Sequence, residues 1–330
     1  MADWGFATGD ALTRKAWAKN WWIEAKTESY FYGQGLVGRD YTQAIIVELP
    51  ELESEQGDVI NYGQIRELSG AGVLDDGDME GQEESPLEYD DDVTLAQKRN
   101  AVRSAGKLSG QRPSDKRLRM WATELLKRWM AETLDQDLFD ALGSALTKAI
   151  YGGDATGTAD VASGDYFTLA LIAKAVAYAK KATPKIMGPS FGGKKTNGIV
   201  VISPDQSFDL TERDAAWNQS RMDASLRGND NPIFTGALGM HKSVPIHEHP
   251  RVAIATTWGT ATNLTGATAL FMGVGSGVIA YANKRIWNEK TFNYANQVGF
   301  CIGAIYGTSK SVFNAADNAV VGIRTFRSNN

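Results

Sequence analysis

The spacing of apolar positions predicts one unusually long helix near the middle of the chain. Between residues 114 and 151, apolar side chains recur every three or four positions, starting with Trp121 and Leu125. This is the period of an α-helix with one apolar face. Ser114 is a suitable N-cap, and glycines follow at Gly152 and beyond. At 1.5 Å per residue the helix would extend over roughly 55 Å, which indicates an elongated or flat subunit.

Shorter patterns lie on both sides of this helix. Two extended stretches, residues 59–68 and 87–95, flank a turn region rich in glycine and acids, which predicts a hairpin-like loop. The C-terminal half alternates between helical and strand patterns, so the fold class predicted is α+β. The predicted helices span 166–181 and 204–225, and the predicted strands span 196–203, 244–255, 270–281, 292–306 and 320–326.

The hairpin region is strongly acidic. Ten carboxylates lie between Asp75 and Asp92, with no Lys or Arg between Arg66 and Lys98. Like charges repel each other at separations below the screening length of about 8 Å. A basic surface that receives this segment would relieve the repulsion among its carboxylates. We therefore take its acids as candidate contacts between subunits: Asp75, Asp76, Asp78, Glu83, Glu84, Asp90, Asp91 and Asp92.

The following segment reverses the sign of the charge. Ten Lys and Arg residues lie between Lys98 and Arg128, opposed by two acids. Arg112, Arg117 and Arg119 are the candidate partners for the acidic loop of a neighbouring copy. The alternative is a solvated acidic hairpin beside a solvated basic helix, with no contact between copies.

The N-terminal 35 residues are rich in aromatic side chains. Trp17 and Trp21 are four residues apart, so a helix would place them on one face. Three hypotheses fit: a terminal helix docked on its own core, an arm anchored on a neighbouring subunit, or a membrane-surface helix. Both tryptophans are candidate contacts between subunits, because large aromatics dominate interface energies.

Composition and motifs argue against catalysis. The net charge of −5 disfavours general DNA binding, and one cysteine excludes a disulfide within the chain. The start of the chain lacks the pattern of a secretory signal, and no apolar run is long enough to span a bilayer. No phosphate-binding loop occurs, and two histidines on one strand face, His247 and His249, do not complete a zinc site. Cys301 lies in an apolar strand, which predicts a buried, inert thiol. We predict no catalytic residue, no cofactor and no metal.

Three blocks resemble a known family. They are the loop from Leu68 to Arg112, the segment DQDLFDALG from Asp135 to Gly143, and NPIFTGALGMHKSVPIHEHPRV from Asn231 to Val252. They look like the major capsid proteins of the phage group that includes the Escherichia coli phage with a virion-packaged RNA polymerase. The similarity extends over roughly residues 40–330, and the third block is the most specific.

The resemblance implies the tailed-phage shell fold known as the Hong Kong 97 type. It implies an N-terminal arm at 1–50, an extended loop at 51–110, a spine helix of the peripheral domain at 111–155, and an axial domain with peripheral strands at 156–330. The implied partners are further copies in hexamers and pentamers, with scaffolding, portal and decoration proteins. The shell would enclose double-stranded DNA without reading its sequence, would assemble in the host cytoplasm as part of a virion, and would involve no membrane.

Two other functions fit some of these observations. One is the shell protein of a cellular nanocompartment, which shares the implied fold and would hold a protein cargo. The other is an oligomeric enzyme that uses the face carrying His247 and His249, for which stoichiometric metal would be required.

Overall fold

The computed structural model shows a mixed α+β fold. It describes residues 21–49, 57–65, 72–73, 75, 79–85, 88–106, 115–191, 194–215, 217–218 and 238–327, with the side chains of 115–118, 191, 194 and 283–285 left aside. The predicted fold class is therefore confirmed at the level of α+β. Several predicted features lie outside the described residues: Ser114 as an N-cap, residues 231–237 at the start of the third block, and the end of the helix predicted at 204–225.

The helices are α1 (residues 21–28), α2 (Tyr30–Gly33), α3 (Asp115–Gly143), α4 (Leu169–Lys181) and α5 (Pro204–Arg213). The strands are β1 (Val37–Gly38), β2 (Ile46–Leu49), β3 (Val59–Ile65), β4 (Glu88–Thr94), β5 (Ala96–Arg103), β6 (Ala149–Tyr151), β7 (Ser190–Phe191), β8 (Lys194–Lys195), β9 (Ile199–Ile202), β10 (Gly239–His241), β11 (Val244–Glu248), β12 (Ile254–Trp258), β13 (Leu264–Met272), β14 (Gly277–Phe292), β15 (Gln297–Lys310), β16 (Val312–Phe313), β17 (Ala316–Asp317) and β18 (Val320–Phe326).

Two sheets form the body of the described chain. The first has the order β1–β2–β14–β15–β5, and its long antiparallel hairpin β14–β15 is joined by β2 in parallel and by β5 along the outer edge. The second has the order β10–β11–β9–β13–β18–β6, with β12 also paired to β13. The hairpin β3–β4 is a separate two-stranded sheet, paired from Val59–Thr94 to Ile65–Glu88. The predicted hairpin is thus confirmed.

The long helix α3 lies between the two sheets and connects their cores. Leu126 and Leu134 pack in the same buried cluster as Ile302 of β15 and Leu270 of β13. Helix α4 covers the opposite face of the second sheet, where Ile172 packs in a separate cluster. Because strand β9 is covered on both faces, its sequence IVVI has no polar position.

Helix α3 is shorter than predicted, since it ends at Gly143 and not near residue 151. Its 29 residues correspond to about 43 Å. Ala145 adopts a left-handed conformation, with φ of 37°, and the chain then enters β6, which pairs in parallel with β18. Alanine at every fourth position extended the apparent helical pattern, but Ala149 belongs to the strand. The strand predicted at 320–326 is confirmed, whereas the one at 270–281 is divided by the turn that contains Gly275, with φ of 70°.

The end of α3 is held by a buried lysine. The amino group of Lys310 donates to the carbonyl oxygens of Ser144 and Ala145, at 2.6 and 3.1 Å. Asp317 lies 2.6 Å from the same nitrogen, and both side chains are nearly inaccessible to solvent. A cation here satisfies carbonyls that a helix end leaves without partners. Among the described residues, no helix is both long and apolar enough to cross a bilayer.

Candidate intersubunit surface

The acidic hairpin has two unlike faces because strand side chains alternate. On β4, Glu88, Asp90 and Asp92 are exposed, whereas Val93 is fully buried. The amide of Asn61 on β3 donates to both Asp90 and Asp92, at 3.0 Å each. This single neutral donor offsets only part of the repulsion between the two carboxylates, so the outer face stays anionic.

The inner face of the hairpin is fixed to the body of the subunit. Asp91 accepts hydrogen bonds from the Tyr62 hydroxyl at 2.6 Å and from the backbone N–H of Val312 at 3.0 Å. Burial, and then the hydrogen bond to Asp91, raise the pKa of Tyr62 well above its usual range, so this hydroxyl remains a donor. Ile60 and Val93 pack with residues of β2 and β14. Asp91 is therefore bound to the body of its own subunit, whereas Asp90 and Asp92 are bonded to Asn61 within the hairpin.

The turn region of the hairpin is described only in part. Asp75 is exposed and adopts a left-handed conformation, with φ of 52°. Glu83 and Glu84 are exposed, and Glu83 accepts a hydrogen bond from the Gly81 N–H at 2.7 Å. Asp76 and Asp78 lie outside the described residues. The acids that are described lie on a solvent-facing surface.

The first part of the basic segment is a strand, and the helix predicted from residue 114 begins only after it. Residues 96–103 form β5 and pair with β15 from Tyr306–Ala96 to Gly299–Arg103. Lys98 points inward and pairs with Asp137 of α3 at 2.5 Å. Arg99 and Arg103 lie on the opposite face and are exposed. The sheet, and not the helix, thus displays these two cations.

We name Arg99, Arg103 and Lys290 the cationic sheet face. Arg103 and Lys290 both lie near the Phe292 ring, 4.3 and 5.2 Å from its centre. Glycines on β15 make room beneath these side chains. A Cβ atom on Gly303 would lie 2.8 Å from Cγ of Arg99, and one on Gly299 would lie 2.9 Å from the Phe292 ring. The result is an exposed surface with the opposite charge to the hairpin.

Of the three arginines predicted as partners of the acidic loop, only Arg119 has its side chain among the described residues. Arg112 lies outside the described residues, and Arg117 lies in α3 with its side chain outside the described part. Arg119 forms an ion pair with Glu289 of β14 in the same chain, and the Trp287 indole also donates to Glu289 at 2.9 Å. Arg119 therefore supports the contact of α3 with its own sheet.

Trp21 is buried in its own subunit, with 1% of its surface exposed. It contacts Trp22 edge-on, 5.5 Å between ring centres, and belongs to the cluster that contains Leu126 of α3. Lys26 of the same helix pairs with Glu48 of β2 at 3.0 Å. Trp21 therefore docks on the core of its own subunit, and its contact with a neighbour stays a prediction. Trp17 lies outside the described residues.

Sequence reasoning missed two exposed apolar features. Met120, Trp121 and Leu125 of α3 are 68%, 46% and 60% exposed, although their spacing had assigned Trp121 and Leu125 to the core face. Tyr294 is fully exposed at the tip of the β14–β15 hairpin, where three consecutive residues from Asn293 to Ala295 are left-handed. The strand predicted at 292–306 included this turn, so both the turn and the exposure of Tyr294 follow only from the fold.

The histidines and the cysteine occupy structural positions. The His249 ring stacks on Phe139 of α3 with 4.8 Å between ring centres, and lies 4.8 Å from the Tyr30 ring. Burial lowers the pKa values of both His247 and His249. Cys301 is half-buried and not fully buried as predicted. Within the described part of the chain, no three His, Cys, Asp or Glu side chains are grouped closely enough to hold a metal.

Comparisons with known proteins agree with this picture of a subunit. A family model described as phage capsid protein matches residues 5–149 and 138–326. The chain therefore belongs to the phage capsid protein family. It is 26% identical to the major capsid protein of Pseudomonas phage KPP25, over 91% of this chain and 89% of that protein.

Solved structures extend the match to the fold. The capsid of Ralstonia phage GP4 superposes with a TM-score of 0.81 and 28% identity, over 99% of both chains. The cyanophage Pam1 capsid superposes with a TM-score of 0.75 over the whole of both chains, at 19% identity. The predicted function is confirmed: the chain is a phage major capsid protein, a structural shell subunit and not an enzyme. The structures matched here are phage capsids and not nanocompartment shells.

Proposed function

We propose that the chain builds the icosahedral head of a tailed phage with the Hong Kong 97 type of subunit, as hexamers and pentamers around double-stranded DNA. The observation that carries the proposal is a pair of exposed, oppositely charged surfaces on a subunit of a capsid family. The long helix α3, the hairpin β3–β4 and the mixed C-terminal region support the subunit type. The similarity to the phage group with a virion-packaged RNA polymerase belongs to the same proposal.

The proposed subdomains follow the expected boundaries. The arm is 1–50, the extended loop 51–110, the spine helix of the peripheral domain 111–155, and the axial domain with peripheral strands 156–330. Within the extended loop, the hairpin β3–β4 forms a separate two-stranded sheet, whereas β5 belongs to the sheet of the body. Within the arm, α1 and α2 dock on α3.

In the proposed shell, the outer face of one hairpin lies over the cationic sheet face of the next subunit. Glu88, Asp90 and Asp92 would then oppose Arg99, Arg103 and Lys290. Exposed ion pairs contribute only about 0–1 kcal/mol each, so charge sets the orientation and register of the contact. Repetition of the contact around the shell makes the assembly sensitive to each small contribution.

The proposed partners are scaffolding, portal and decoration proteins, with assembly in the host cytoplasm into a virion. The net charge of −5 suits a container for DNA, because strong adhesion to phosphates requires many basic contacts. No membrane and no sequence-specific binding of DNA are proposed.

The test is assembly of the purified protein, followed by electron microscopy at low and high salt. The wild-type protein should form closed particles, with a yield that falls as salt increases. Asp90→Asn/Asp92→Asn should assemble less at low salt and should depend less on salt. The control Asp154→Asn/Glu212→Gln removes two exposed carboxylates elsewhere and should behave like the wild type. Equal salt dependence of the Asp90→Asn/Asp92→Asn variant and the wild type would contradict the charge contact, and absence of particles would contradict the shell.

A further inference from the structure

Helix α4 and the loop that follows it carry charge of one sign only. From residue 166 to residue 204 the chain contains six lysines and no Asp, Glu or Arg. The net charge of the whole chain is −5, so this segment is a local reversal of the charge. The six lysines are Lys174, Lys180, Lys181, Lys185, Lys194 and Lys195.

The fold turns one lysine-bearing face of α4 towards solvent. On the opposite face, Ile172 and Ala179 are buried against the second sheet. Lys174 and Lys181 are both exposed and are seven residues apart, so they lie on one stripe, about 10 Å apart along the helix axis. Tyr178 lies one turn from Lys174 and is 36% exposed. This stripe is therefore accessible to another molecule.

A lysine from outside the helix joins the stripe. Lys148 precedes the edge strand β6, and its amino group lies 5.3 Å from the centre of the Tyr178 ring. We name Lys148, Lys174, Tyr178 and Lys181 the lysine face. Because Lys148 belongs to a different element, the fold and not the sequence pattern brings this third cation to α4.

The cations of the lysine face differ in use from other lysines of the subunit. Lys98 and Lys310 each pair with a carboxylate of their own chain. Among the described residues, Lys148, Lys174 and Lys181 have no such partner. Lys181 in the last turn favours the helix dipole, but a lysine in the middle of the helix or outside it gains nothing from this effect. Binding of an anionic partner would relieve the repulsion among the three charges.

The surface between these lysines suits a helix of another protein. Ala170 and Ala177 are exposed on the same stripe. The distance between packed helices depends on the side chains at the contact, so these small residues allow a close approach. Tyrosine, as at Tyr178, is enriched at protein interfaces. DNA is the less suitable partner, because this face repeated on every subunit would attach packaged DNA to the wall of its container.

We propose that the lysine face binds an acidic helix of an accessory protein of the shell. The inference rests on the proposed shell and gives the chemistry of one of its partners. Carboxylates two helical turns apart meet Lys174 and Lys181, and a small residue between them faces Ala177. Exposed ion pairs contribute only about 0–1 kcal/mol each, so the close approach at Ala177 selects a helix among other anions.

The first test is photo-crosslinking of the free subunit to a synthetic probe. The variant Tyr178→p-benzoylphenylalanine keeps an aromatic ring in the lysine face and captures what binds there. The probe is a labelled, alanine-rich peptide of about 20 residues with two glutamates in each heptad, long enough to be helical. Unlabelled peptide should compete for this capture at least several-fold better than a DNA duplex with the same number of charges. Equal or better competition by the duplex would overturn the inference, and so would failure to capture the peptide.

Two changes in this crosslinking background separate charge from shape. Lys174→Gln/Lys181→Gln should reduce capture by up to about ten-fold, because two ion pairs are lost. Ala177→Gln keeps every charge of the lysine face and should reduce capture several-fold, because its longer side chain holds the incoming helix away. The control Arg39→Gln/Arg128→Gln removes two exposed cations elsewhere and should leave capture unchanged. Full capture by the Ala177→Gln variant would exclude a closely packed helix.

The second test uses particles purified from infected cells before and after DNA packaging. With Tyr178→p-benzoylphenylalanine in the shell, irradiation should join position 178 to an acidic segment of a second protein, identified by mass spectrometry. An adduct with another copy of this chain, with DNA or with a segment that is not acidic would overturn the inference, as would no adduct in either kind of particle. In all these cases particles are present, so the proposed shell survives. If no particles form, the shell fails, and the test on the free subunit still decides the lysine face.

Discussion

The carboxylates of the long helix and those of the acidic hairpin are the same chemical groups in opposite situations. Asp135 of α3 accepts from the Ser29 hydroxyl at 2.7 Å and from the Tyr30 N–H at 2.8 Å. Asp137 binds Lys98 and the Tyr306 hydroxyl, each at 2.5 Å. On the hairpin, Asp90 and Asp92 share one amide in solvent. The carboxylates of α3 thus make contacts within the subunit, whereas Asp90 and Asp92 of the hairpin remain exposed to solvent.

The buried ion pair at the end of α3 tests the internal side of this comparison. Lys310→Met leaves Asp317 buried without its cation and removes the donor to two carbonyl oxygens. Breaking a buried pair from one side costs about 3–5 kcal/mol, so urea unfolding should show a loss of that size. The double variant Lys310→Met/Asp317→Asn should recover part of it. A loss below about 1 kcal/mol would mean that the pair is not an internal support.

Adjacent aspartates on β4 provide a sharper comparison. Asp91→Ala removes the acceptor of the Tyr62 hydroxyl and of the Val312 N–H, and should lower the free energy of unfolding by about 1–3 kcal/mol. Asp90→Ala should change it by less than about 0.5 kcal/mol. Both are measured on the free subunit by chemical unfolding. Equal losses in the two variants would remove the distinction between the two faces of the hairpin.

The histidines beside α2 and α3 predict that the stability of the subunit depends on pH. This effect is expected to be smaller than those of the Lys310 and Asp91 variants. Burial lowers the pKa values of His247 and His249 from about 6.5, so below that pH the unfolded chain binds more protons than the folded one. Stability should therefore be constant above about pH 6.5 and fall as the pH drops through the lowered folded values. The slope should not exceed about 1.4 kcal/mol per pH unit for each histidine. His249→Phe, which preserves the ring contacts, should give a shallower slope, and an unchanged slope would contradict the assignment.

The smallest effect on stability is expected at the tip of the β14–β15 hairpin. Tyr294 is fully exposed, so Tyr294→Ser should change the free energy of unfolding by less than about 0.5 kcal/mol. If the tip meets another copy, as exposed aromatics often do, the yield of particles should still fall. Thr291→Ser on the same hairpin is the control. A loss of stability without a loss of assembly would place Tyr294 among the internal contacts.

Local patterns predicted most of the elements. The apolar repeat identified α3, and the alternation around the acid run identified β3 and β4, because these signals depend on neighbours in sequence. The end of α3 at Gly143 was not predicted. It depends on Lys310 binding carbonyls 165 and 166 positions away in sequence, and on β6 pairing with β18.

The candidate surface was predicted less completely than the fold. The acids of β4 were identified from the sequence alone. That Asp91 faces the body of the subunit, whereas Asp90 and Asp92 face solvent, follows from the pairing of β4 in the structure. The cations at Arg99 and Arg103 lie on a strand because β5 pairs with β15, some two hundred residues away. Periodicity assigned Trp121 and Leu125 to the apolar face of α3, whereas the structure buries Ala122 and Leu126. Contacts between residues far apart in sequence determine which face of α3 is buried.

The fixed base of the hairpin has a consequence for the geometry of a closed shell. Copies of one sequence that meet at fivefold and sixfold positions must adopt different angles between neighbours. Asp91, Ile60 and Val93 bind the root of the hairpin to the body, so adjustment there would break buried contacts. From Gly63 to Ile65, β3 has no buried residue, and its partners on β4 are also accessible. Bending at these outer residue pairs of the hairpin would let the same subunit fit positions of different curvature in the shell.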